Sequence, residues 1–116
     1  MDVNRFLQQL LEELSHLPFV KNLDLNTEVF VIKGRVFLED NFFLQVYFNE
    51  RTKTTAFALI KEEKRIWGID FDSIRGWHLH PAENPDGHLI IEPKTIKEII
   101  AHLATAWDVV TSIKSS

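Results

Sequence analysis

Three of the five histidines of this chain, His78, His80 and His88, fall between positions 78 and 88. They belong to the segment Arg75-Gly76-Trp77-His78-Leu79-His80-Pro81-Ala82-Glu83-Asn84-Pro85-Asp86-Gly87-His88. Residues two apart on an extended strand project from the same side. If 75–80 is a strand, His78 and His80 stand side by side while Trp77 and Leu79 face the other way. Asn84-Pro85-Asp86-Gly87 has strong turn chemistry and can fold the chain so that His88 returns toward the pair. Asp72 ends the preceding predicted strand, close enough in sequence for its carboxylate to join. His78, His80, His88 and Asp72 are therefore the candidate catalytic residues. Asp72 is expected to hold one imidazole in its working tautomer.

Two chemistries suit such a cluster. Neutral imidazoles are good ligands for zinc and other borderline divalent metals, and two or three of them with a carboxylate hold an ion with a position left open. On that route the ligands are His78, His80 and His88. The other route needs no cofactor. One histidine takes a proton from a nucleophile, such as a ribose 2′-hydroxyl, and another gives one to the leaving group. A third reading is plainer: an interaction module without catalysis, its histidines a partner-binding surface or a structural metal clip. His16, at the end of the first predicted helix, and His102, off the apolar stripe of the last, read as surface. Arg35, Arg65 and Arg75 are each candidate phosphate contacts. The alternation expects His78 and His80 to be at least partly accessible, with Trp77 buried behind them. Truncating either histidine is then expected to cost less than about 1 kcal/mol of stability.

The elements that must position this segment are legible around it. Phe6, Leu7, Leu10, Leu11, Leu14 and Leu17 recur at helical spacing, with Asp2 as N-cap and Pro18 as stop. Phe30, Ile32, Gly34, Val36 and Leu38 share one face of a strand, with Lys33 and Arg35 on the other. After a turn at Glu39-Asp40-Asn41, Phe42, Leu44, Val46 and Phe48 alternate with Gln45, Tyr47 and Asn49. Further strands are predicted over 54–61 and 64–72, the latter with Trp67, Ile69 and Phe71 opposite Asp70 and Asp72. The short polar connections imply hairpins and an antiparallel sheet. Thr95 and Glu98 form a capping-box pair at the head of a last helix carrying Ile96, Ile99, Ile100, Leu103, Trp107 and Val110. The expectation is one α+β domain over 1–116, a meandering antiparallel sheet of four or more strands with both terminal helices on one face.

Composition bounds the rest. The chain has 116 residues, no cysteine and a formal net charge of −4. A chain of this size buries roughly two-thirds of its unfolded surface and needs no staples. Without cysteine there is no disulfide, thiolate metal site or cysteine nucleophile. The acidic balance argues against a broad electrostatic grip on nucleic acid but not against local engagement of RNA. No apolar run approaches the roughly 20 residues of a membrane span, and Gln8, Gln9, Glu12 and Glu13 interrupt the N-terminal apolar residues. A cytoplasmic protein with no membrane partner is expected.

Asp72, Gly76-Trp77-His78-Leu79-His80-Pro81, Asn84-Pro85-Asp86-Gly87-His88 and Glu92-Pro93 before a capped helix together resemble the TumE-like toxins of prokaryotic toxin–antitoxin systems. Ser73 stands where that family often has Asn, and the histidine run is shorter. The resemblance implies a small ribonuclease-type toxin acting on RNA. Its implied partner is a cognate antitoxin, often a helix-turn-helix DNA-binding protein; a homodimer stays open. A second resemblance is to the H-x-H-P element of the JAMM zinc hydrolases. There the remaining motif positions fall on His88 and Ile91, and isoleucine cannot ligate zinc. Glu92 is one residue late.

Overall fold

The computed structural model describes residues 1–115. The first helix, α1 (Val3–Leu14), is capped by Asp2, whose carboxylate accepts the Arg5 N–H at 2.8 Å. Its buried residues Val3, Phe6, Leu10 and Leu14 follow helical spacing and define the inward face. Seven strands follow: β1 (Val20–Thr27), β2 (Val31–Leu38), β3 (Phe43–Asn49), β4 (Thr54–Lys61), β5 (Lys64–Asp72), β6 (Gly76–His80) and β7 (Leu89–Ile90). Each pairs antiparallel with the next in chain order. The chain closes with α2 (Ile96–Ser115). The Thr95–Glu98 capping box forms as expected: the Glu98 N–H donates to Thr95 Oγ1 at 3.1 Å, and the Thr95 N–H to Glu98 Oε1 at 2.9 Å.

Strand alternation sorts the sheet into two unlike faces. Val46, Phe57, Ile69 and Leu79 lie in one register row, and with the parallel rows they meet both helices in a single core. Phe6 of α1 stacks on Phe48 at 4.2 Å between ring centroids, and Trp107 of α2 stacks on Phe19 at 4.3 Å. α1 also packs against α2. Both helices therefore cover the same face, where each fully buried large apolar side chain contributes roughly 1.5–3 kcal/mol.

Among the described residues the opposite face carries no helix. Two register rows cross it: Arg35, Gln45, Ala58, Gly68 and His80, and beside them Lys33, Tyr47, Ala56, Asp70 and His78. The polar row ends are separated by small residues, so the middle of the face is hollow. The edge strands β1 and β7 go beyond the strands expected from sequence. No helix among the described residues is long and apolar enough to cross a membrane.

Candidate metal centre

The β5–β6 hairpin sets the site. Its register places Asp70 opposite His78 and Gly68 opposite His80 on the open face. Gly68 is required there. A Cβ at this position would lie 2.9 Å from the Phe57 carbonyl oxygen, closer than real Cβ atoms come, so a side chain would press on the backbone of the neighbouring β4, and it would touch the His80 ring at 3.6 Å. After His80, the Asn84 N–H donates to the Pro81 carbonyl at 3.1 Å and the Gly87 N–H to the Asn84 carbonyl at 2.9 Å. These two turns reverse the chain and bring His88 back, as the turn residues predicted. Ring centroids of His88 and His80 are 4.5 Å apart, those of His78 and His80 5.2 Å, and those of His78 and His88 5.7 Å.

The returning loop changes one expectation. His78 and His80 do share a face, and Trp77 packs on the core side against Phe71 but is only half-buried, whereas the histidines expected to be accessible are 4% and 1% exposed. Residues 81–90 lie beside and over them, a covering that alternation within a strand does not reveal. His88 is the exposed member of the cluster.

One of the two buried imidazoles, His80, is over-committed. Nδ1 of His80 lies 3.0 Å from the Gly87 carbonyl oxygen, and its Nε2 lies 3.1 Å from Asp70 Oδ2. Nδ1 of His78 lies 3.3 Å from the Gly76 carbonyl oxygen, and its Nε2 lies 3.3 Å from the same Asp70 Oδ2. A neutral imidazole has one N–H, and a carbonyl oxygen only accepts. Whichever nitrogen carries the proton, one contact of the neutral His80 ring sets two acceptors against each other. A second proton would relieve the conflict, but burial, and after it the nearby Arg65 charge, holds the His80 pKa below its ordinary value despite the opposing pull of Asp70. A cation among the histidine nitrogens beside the carboxylate would relieve it. Nδ1–H donation to a backbone carbonyl is the usual way a metal-binding histidine is oriented. Ligand–ligand separations of roughly 3.3 Å follow from zinc bonds of about 2.0–2.1 Å in a tetrahedron, and the Asp70 contacts at 3.1 and 3.3 Å match them. One ring nitrogen from each of His78, His80 and His88 lies within 4.8 Å of the others, so the three can hold a metal ion.

Of the four residues singled out from sequence, the structure brings His78, His80 and His88 together and leaves Asp72 apart. Asp72 accepts the Ile74 and Arg75 N–H groups at 3.0 and 2.7 Å and the Arg75 Nε–H at 3.1 Å. The Arg75 backbone bond leads in holding its carboxyl below the usual range. It organises the β5–β6 turn, and the orienting role expected of it falls to Asp70. Alternation had put both aspartates on the right face; only the register, fixed by the length of the turn, chooses between them. His16 and His102 are exposed, as expected. Arg35 lies 4.8 Å over the Phe43 ring, and Arg75 pairs with Asp72. The Ile91 N–H donates to the Trp77 carbonyl at 3.2 Å, and Glu92 is exposed beyond it.

Beside Asp70, away from the histidines, the hollow of the open face forms a basin of about 330 Å³. Gln45, Tyr47, Ala56, Ala58, Arg65 and Asp70 line it, and Arg75 and Asp72 lie at its rim. No protein-family model matches the chain, and no curated protein or solved structure is significantly similar to it.

Proposed function

We propose that the protein is a divalent-metal-dependent hydrolase that cleaves RNA phosphodiester bonds in the cytoplasm, a toxin held in check by an antitoxin protein. The observation that carries the metal part is the shared Asp70 oxygen facing two Nε2 atoms whose Nδ1 partners are backbone carbonyls. The RNA and toxin parts rest on the resemblance of the 72–93 segment to TumE-like toxins. Zinc-type ions activate water and polarise phosphoryl oxygens as Lewis acids. The chain's own work is to fix His78 and His80 through their backbone acceptors and to balance the ion's charge with Asp70. His88 is presented from a loop that faces solvent. His78, His80 and His88 would hold the ion, and three histidine donors would leave a position open for a reactant. Near-complete burial of His78 and His80 weighs against their direct proton exchange with a polymer.

A second reading is favoured by that same burial: a structural ion that clips residues 81–88 to the sheet of an interaction module. Purified protein incubated with RNA decides. We expect cleavage that stops on chelation, returns with zinc or manganese, and is lost in His80→Ala. Cleavage that survives chelation would replace the metal reading with metal-free acid–base catalysis. A zinc-dependent rise in Tm without cleavage would favour the clip.

A further inference from the structure

Arg65 points where its strand should not send it. Trp67 and Ile69 face the core, and plain alternation would turn Arg65 to the core as well. A register shift between Leu59 and Ile60 intervenes: Trp67 pairs with Leu59, Arg65 with Ile60, and Ile66 is the extra residue. Ile66 packs on the core side with Trp67, and Arg65 is thrown onto the open face. Bulges commonly re-aim a side chain beside a functional site. Arg65 lies along Gly68, its Cδ 3.4 Å from that glycine's Cβ position. The guanidinium charge is felt at His80. Arg35 and Arg51 lie over phenylalanine rings and Arg75 is paired with Asp72, but Arg65 has no ion pair, ring or side-chain hydrogen bond among the described residues.

We propose that the basin beside Asp70 is the substrate pocket of the centre, taking a phosphate ester of about one nucleotide unit, with Arg65 as its anion contact. This rests on the metal-hydrolase reading for the chemistry next door. A volume of about 330 Å³ is at the small end of ligand pockets, roughly 300–1,000 Å³. Ala56 and Ala58 form an apolar floor on which a sugar or base can lie, and Gln45 and Tyr47 stand along the wall with hydrogen-bonding groups. Arg65 presents a planar, permanently charged fork suited to phosphate oxygens. The basin's own charges cancel: Arg65 and Arg75 against Asp70 and Asp72. A divalent ion at Asp70 makes the surroundings positive, so phosphate binding and metal binding reinforce one another.

The test is titration of adenosine 5′-monophosphate into the full-length protein, with and without zinc, followed by amide shifts in NMR. With zinc, we expect shifts at Ala56 and Ala58 and tighter binding than without it. Arg65→Ala should weaken binding by about tenfold to a hundredfold, the usual worth of a charged hydrogen bond, while keeping the zinc-dependent rise in Tm. Arg65→Lys should recover part of the loss, and Arg35→Ala should bind as wild type. Shifts confined to 76–90, or equal affinity in Arg65→Ala, would overturn the pocket and leave the metal centre standing. If zinc leaves the wild-type Tm unmoved, the metal reading fails. The pocket is then decided by the zinc-free titration: Arg65-dependent shifts at Ala56 and Ala58 support it, and their absence overturns it.

Discussion

The two faces of the sheet are made by the same strands, yet they solve burial in opposite ways. The covered face buries Phe57, Leu59, Ile69 and their neighbours against two helices, with apolar contacts that carry no hydrogen-bond debt. At the β5–β6 end of the open face, two imidazoles are buried almost as completely, and the polar contacts of His80 do not fully match. The first arrangement stabilises the fold and is tolerant of conditions. The second is conditional on what joins it, which is a property of a site rather than of a scaffold.

The comparison can be broken most forcefully from the core. Phe57→Ala should cost about 3–5 kcal/mol in chemical denaturation, the usual range for a buried phenylalanine, while molecules still folded keep their response to zinc. Loss of that response in folded protein would show the faces to be coupled. The mirror experiment, His80→Ala, should cost about 1–3 kcal/mol without metal, because a buried ring and its bond to the loop are lost. That exceeds the expectation drawn from an accessible histidine, and it should abolish zinc stabilisation altogether.

Acid sharpens the contrast. His80 has a folded-state pKa below its ordinary 6.5. Between those two values the unfolded chain binds more protons than the folded one, so stability falls as the pH drops below about 6.5 and levels off beneath the folded value. Thermal melts of metal-free protein across that window should show the fall, and His80→Ala should flatten it. The smallest effect belongs to Asp72, whose lowered pKa lends stability above its ordinary 3.8 that is lost on further acidification. Asp72→Asn should blunt that acid limb and leave zinc binding unchanged, as equilibrium dialysis would verify.

The covered face was readable in sequence because its strands alternate cleanly and its helices carry caps. β1 was not. Asn22-Leu23-Asp24-Leu25-Asn26 does alternate, but the run is short, its polar members are poor strand formers, and as an edge strand it is largely exposed on both sides. β7 is two residues long and exists by pairing with β6. The three histidines were legible from spacing and turn residues. Their burial, the choice of Asp70 over Asp72 and the re-aiming of Arg65 depend on a loop's path, a hairpin's register and a bulge. Each of these is fixed by pairing between strands rather than by any local pattern.

The strictly sequential strand order has a consequence for how the molecule is made. Gly68, Asp70, His78, His80 and His88 belong to one hairpin and the loop after it, so the ring they form closes over short stretches of chain at small entropic cost. The α1–α2 contact spans the whole sheet in sequence and is among the most distant of the described contacts. Emerging from the ribosome, the chain presents every residue of the histidine ring before α2 exists to cover the apolar face. Assembly of the histidine ring rests on contacts of short sequence separation and is expected early, and closure of the core rests on the distant α1–α2 contact and is expected late.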